Sequence, residues 1–213
     1  KTVDLSDFTF KFTVDRLYDT RFGLIFGPSF DCYNFGEMTV PGLAVSFMFS
    51  GNGMIIFLEN PAGAKPIEGL DTNEYHILKN EEGGWLTLPV SQGAEIAVTL
   101  KADNEGNLTL HISAGGQSAQ AVISAGYFAG NELDLTQMYF KLVSGHQAMA
   151  FGSEKYLELT VTELSDASNT AAVARIQSFL TQAGSATDAE TAAGLLADAP
   201  AVGELYLQQA ELV

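Results

Sequence analysis

Between Phe8 and Asp15 the chain alternates without a break. Phe8, Phe10, Phe12 and Val14 are apolar, and Thr9, Lys11, Thr13 and Asp15 are polar. A period of two belongs to a β-strand with one face on a core and the other in water, because a helix would scatter the same residues around its circumference. The pattern returns in residues 95–101, 107–112 and 156–164. Shorter apolar runs at 22–26, 43–49, 54–58 and 138–143 read as strands buried on both faces, or as central strands of a sheet.

The connections carry turn chemistry. Asp103-Asn104-Glu105-Gly106, Ser50-Gly51-Asn52-Gly53 and Ala114-Gly115-Gly116-Gln117 each place glycine where a tight hairpin wants a positive φ. Hairpin after hairpin, with no long helix between, predicts antiparallel sheets rather than βαβ units. Two longer connections, 28–41 and 60–74, are expected to be functional loops.

After Leu164 valine and phenylalanine give way to alanine. Ser165-Asp166-Ala167-Ser168 supplies a linker and a helix N-cap, and Val173, Ile176 and Leu180 follow at helical spacing. Thr187-Asp188-Ala189-Glu190 has the spacing of a capping box, and Asp198 ahead of Pro200 marks a third start. The expected architecture is therefore mainly β: an antiparallel jelly-roll β-sandwich over residues 1–165 and an alanine-rich helical tail of two or three short helices over 166–213.

A formal net charge of -16 excludes nucleic acid and anionic lipid surfaces as natural partners. No run of 18 apolar residues exists, so no membrane insertion is expected. The single cysteine, Cys32, excludes an internal disulfide and a cysteine zinc cluster. The chain starts at Lys1 with no leader-shaped segment, which is read as a removed leader or as part of a longer chain with further domains.

Strand number and order resemble the concanavalin A-like lectin/glucanase superfamily, including its laminin-G-like and carbohydrate-binding modules. The likeness lies in the strand from Phe8 to Asp15 followed by Arg21-Phe22-Gly23-Leu24-Ile25-Phe26, in the central 96–112 with its tight turn, and in the closing 156–164. It covers most of residues 2–164. The resemblance implies a jelly roll whose first and last strands pair, and a protein that binds or acts on glycans.

The glucanases of that superfamily carry a Glu-x-Asp-x-Glu strand, with all three carboxylates aimed into the cleft. Here the nearest segment is Glu132-Leu133-Asp134-Leu135-Thr136, and Thr136 stands where the acid is needed. It reads as a solvated edge strand or loop. His76, His111 and His146 share no metal-ligand spacing, and no cofactor is expected. Structural calcium has two candidate turns, Asp71-Thr72-Asn73-Glu74 and Asp103-Asn104-Glu105, in a chain where acidic turns are common.

A sugar needs an aromatic face to stack on and polar groups to fork its hydroxyls. Trp85, the only tryptophan, follows Gly83-Gly84 and either stands clear of the sheet or starts a strand and packs in the core. Tyr75, His76, Tyr127, Asn131, Asp134, His146 and Gln147 lie in or beside loops, and Tyr33 and Asn34 sit in the first long loop. These ten residues are the candidate ligand-binding set. The preferred reading is a noncatalytic carbohydrate-binding or adhesion module of a larger exported bacterial protein, secreted or at the cell surface, with a glycan or polysaccharide as partner. The alternatives are a glycan-active hydrolase with an unrecognised carboxylate pair, and an assembly domain that docks a partner through its helices.

Overall fold

The structure, a computed structural model, describes residues 2–16, 20–34, 37–50, 53–59, 75–77, 86–144, 158–185 and 189–210. Its strands are β1 (Thr2–Val3), β2 (Asp7–Arg16), β3 (Thr20–Gly27), β4 (Tyr33–Asn34), β5 (Glu37–Met38), β6 (Leu43–Ser50) and β7 (Gly53–Glu59). They continue with β8 (Tyr75–Ile77), β9 (Thr87–Pro89), β10 (Glu95–Ala102), β11 (Leu108–Ala114), β12 (Gln117–Ile123), β13 (Met138–Ser144) and β14 (Glu158–Ser165). Helix α1 (Ala125–Gly130) and a 3₁₀ turn at Leu135–Gln137 join β12 to β13, and α2 (Ala167–Ser185) and α3 (Ala189–Ala210) end the chain. Two compact units result, Lys1–Leu164 and Ser165–Val213.

The first unit is a β-sandwich. Among the described residues one sheet runs β1-β13-β3-β6-β7-β8, with β9 also on β7, and the other runs β12-β11-β10-β2-β14. Every strand pair with a described register is antiparallel. The alternation that opens the chain builds the interior: Phe8, Phe10, Phe12 and Val14 of β2 are fully buried or nearly so. Phe8 meets Phe26 edge-on at 5.2 Å between ring centroids, and Phe12 meets Phe22 at 5.5 Å. Such aromatic pairs add to the burial of their large apolar area.

Two of the glycine turns, 103–106 and 114–117, carry glycine at positive φ, and the middle of the third, at 51–52, lies outside the described residues. Ala114 and Gln117 are register partners across Gly115 and Gly116, whose φ values of +56° and +77° suit a two-residue hairpin turn. A Cβ on Gly115 would lie 2.7 Å from the carbonyl oxygen of Pro89, so this turn also packs tightly on the end of β9 in the other sheet. Ser50 pairs with Gly53, and Asp103 bonds Asn107 across the β10–β11 turn.

Residues 22–26 and 43–47 are buried on both faces, because a second small cluster of Ile25, Cys32 and Ala44, with Val143 beside it, covers the outer side of β3 and β6. The run 138–143 departs from that expectation: only Met138 is buried, residues 139–141 and 143 are half-buried, and Leu142 is 44% exposed. In the second unit Pro200 lies inside α3 instead of starting a third helix. Proline has no N–H to donate to the carbonyl of Leu196 one turn back, and Leu196 is 76% exposed. Arg175 of α2 pairs with Asp198 of α3 at 2.6 Å, and Ala172 and Val202 are buried within the pair.

Candidate functional site

The outer side of the five-stranded sheet is the polar half of the alternation. Pairing puts Thr9, Thr99, His111 and Gln120 in one row across β2, β10, β11 and β12, and Lys11, Ala97, Ser113 and Ser118 in the next. Their neighbours along each strand point inward, since Phe10, Val98, Leu110 and Ala121 are buried. At the end of this face nearest the Gly115-Gly116 turn lies a hollow of about 320 Å³, lined by Glu95, Ala97, His111, Ser113 and residues 114–118. Ala97 and Ser113 are short, Glu95 and His111 stand on the same outward side of their strands, and Gln117, opposite the buried Ala114, borders the hollow from the turn. A volume of this size is at the lower end of ligand clefts.

These groups are a hydrogen-bonding set for hydroxyls: a carboxylate that accepts, an amide and two serines that donate and accept, and an imidazole that can do either. No Phe, Tyr or Trp stands on this face among the described residues. The lysines nearby are matched: Lys11 meets Glu163 at 2.6 Å, and Lys101 lies 3.9 Å from Asp7. The hydrogen bond from Lys11 to Glu163 raises the ammonium's pKa, with Glu95 a lesser negative neighbour.

The described residues expected from sequence do not line this hollow. Tyr127 is not a loop residue: it lies in α1 at 2% exposure, and its hydroxyl donates to the carbonyl of Gly42. Burial pushes its phenol up to about 12. An apolar ring on a helix that closes one end of the sandwich is drawn into the core, which removes it as a stacking surface. Asn131 caps the same helix and donates from Nδ2 to the Tyr127 carbonyl at 2.8 Å. Asp134 caps the 3₁₀ turn, accepting from Thr136 N at 2.9 Å and Thr136 Oγ1 at 2.8 Å. The Glu132-to-Thr136 segment is thus a turn, with Glu132 at φ +56° and Leu133 buried, not an edge strand.

Tyr33 and Asn34 form β4, and Tyr75 and His76 lie opposite Glu59 and Leu58 on β8. Trp85, His146 and Gln147 lie outside the described residues, as do Asp71 to Glu74. Tyr127, Asn131 and Asp134 share the short segment between β12 and β13, and none of them lines the hollow. The hollow's own residues carried one sequence signal, the outward position of His111 in its strand.

Asp103, the other calcium candidate, is engaged in its turn. Oδ1 accepts from the backbone of Glu105 and Asn107, each at 2.9 Å, and Oδ2 accepts from Asn107 Nδ2 at 2.9 Å. The Asn107 side chain is the main cause holding this carboxyl below its usual range. Among the described residues no three His, Cys, Asp or Glu are grouped to hold a metal ion.

Phe30, 61% exposed, offers a second surface, but Lys141 Nζ sits 4.3 Å from its ring centroid and occupies one face.

No protein-family model and no curated protein matches the chain. Among solved structures, the crystal structure of an alginate lyase from Pseudomonas aeruginosa aligns with a TM-score of 0.41 and 14% identity, over 77% of this chain. The chain spans 64% of the length of that enzyme. Likeness at this level bears on neither chemistry nor ligand.

Proposed function

We propose that this protein is a noncatalytic carbohydrate-binding module of the concanavalin A-like jelly-roll kind, carried by an exported bacterial protein and displayed outside the cell. The observation that carries the reading is the hollow on the five-stranded sheet, where Glu95, His111, Ser113, Gln117 and Ser118 present hydroxyl-binding groups on a rigid floor. The adjacency of β2 and β14, the first long strand and the last, supports the jelly-roll assignment. Strands hold such groups more rigidly than loops do, which limits the entropy lost on binding.

A glycan array followed by calorimetry on the retained sugars tests this. His111→Ala and Gln117→Ala each remove a hydrogen-bonding group and are expected to weaken binding about tenfold. Trp85→Ala tests the stacking residue expected from sequence in the same assay. Retention of no glycan, or binding unchanged in both hollow variants, overturns the assignment of this face.

A further inference from the structure

We infer that the hollow on the five-stranded sheet selects a cationic amino sugar, a 2-amino-2-deoxyhexose unit whose ammonium pairs with Glu95. The inference rests on the glycan-binding reading above and adds the ligand's charge.

Three observations lead to it. First, the two ammonium groups on this face are already matched to carboxylates, Lys11 to Glu163 and Lys101 to Asp7. Glu95, which rims the hollow, has no ion pair among the described residues and is exposed at the end of β10. Lys11 and Lys101 together face Asp7, Glu95 and Glu163, so these five groups keep one net negative charge. Second, no Phe, Tyr or Trp stands here among the described residues, so selection rests on hydrogen bonds and charge. Third, the whole chain carries a formal charge of -16, which repels uronate polymers from every side and draws polycations in. His111, Ser113 and Gln117 then meet the ring hydroxyls. A charge-assisted hydrogen bond between ammonium and carboxylate outweighs a neutral one.

Calorimetric titration with glucosamine hexamer, N-acetylglucosamine hexamer and an oligomannuronate separates the possibilities. The expected order is glucosamine hexamer about tenfold tighter than the acetylated form, with no binding of the uronate. Glu95→Gln is expected to bring the affinities of the two hexamers to within about twofold of each other. A general attraction of polycation to acidic protein is exposed by Glu105→Gln, which removes one charge at the opposite end of β11. That variant is expected to leave the preference intact. Equal affinity of both hexamers, equal loss in Glu95→Gln and Glu105→Gln, or preference for the uronate overturns the amino-sugar inference but leaves glycan binding standing. No binding by any sugar here or on a glycan array removes both.

Discussion

The sandwich has two outer faces, and they differ in kind. On the seven-stranded sheet the middle strands are apolar on both sides: Ile25 and Ala44 are fully buried, and Cys32 packs on them from the segment after β3. Gly27 leaves the room, since a Cβ there would lie 2.4 Å from the Cys32 sulfur. On the five-stranded sheet the same alternation ends in Thr, Ser, Lys, Glu and His, open to water. One face has been given to stability and the other left for contact. Covered apolar area stabilises in proportion to its burial, whereas exposed polar residues on a sheet contribute little to stability and are free to serve recognition.

The largest test of this difference is a matched pair of truncations. Ile25→Ala on the covered face should cost about 2–5 kcal/mol, as deletion of buried methylenes does. Thr99→Ala, central on the open face, should stay within about 0.5 kcal/mol. Urea unfolding of both variants measures the contrast. Similar losses would mean that the five-stranded face is covered too, and the hollow would lose its standing as a site.

A smaller effect concerns the tie between the sheets. Tyr127 follows the five-stranded sheet's β12 and reaches Gly42 at the edge of β6 in the other sheet. Its phenol is raised from 10.0 to about 12, chiefly by burial. A raised folded value means that the unfolded chain loses the proton first as pH climbs. The contribution is complete below pH 10 and is lost between about pH 10 and 12, amounting to about 2–3 kcal/mol. Tyr127→Phe should cost about 1–3 kcal/mol at neutral pH by leaving the Gly42 carbonyl without this donor. It should also flatten that alkaline decline, which thermal melts across pH 9–12 would record. A persistent decline in the variant would assign the alkaline loss to other groups.

Much of this was legible in the sequence, for local reasons. The period of two in β2, β10 and β11, and the glycines at positive φ in the 114–117 turn, act over a few residues and leave a readable trace. The continuous helix through Pro200 was not legible, because local capping rules mark a start at Asp198 and Pro200 whereas α3 runs through both. The site was the least legible part. Tyr127 carries the composition of a sugar-binding loop residue, but its burial depends on α1 folding back toward β6, a contact 85 residues away in sequence. Glu95 and His111 look like ordinary outward residues of two separate strands, and Gln117 like the residue after a glycine turn. Only the strand order, with β11 between β10 and β12, makes them neighbours.

The finest probe of the two faces is a single hydroxyl. Ser46 lies on the outer side of β6 at 1% exposure, opposite Gly23, and its Oγ has no hydrogen-bond partner among the described residues. A buried hydroxyl without a partner retains its desolvation cost and returns nothing. Ser46→Ala removes the polar atom and leaves the Cβ in place, so it should raise stability by about 1 kcal/mol, or about 2–4 °C in Tm for a chain of this size. Differential scanning calorimetry resolves a change of that size. A loss instead of a gain would show that water or a neighbouring group reaches Ser46 in solution. The seven-stranded face would then be open at its centre, beside the strand that carries Lys141, and it would join the five-stranded face as a surface where a ligand can sit.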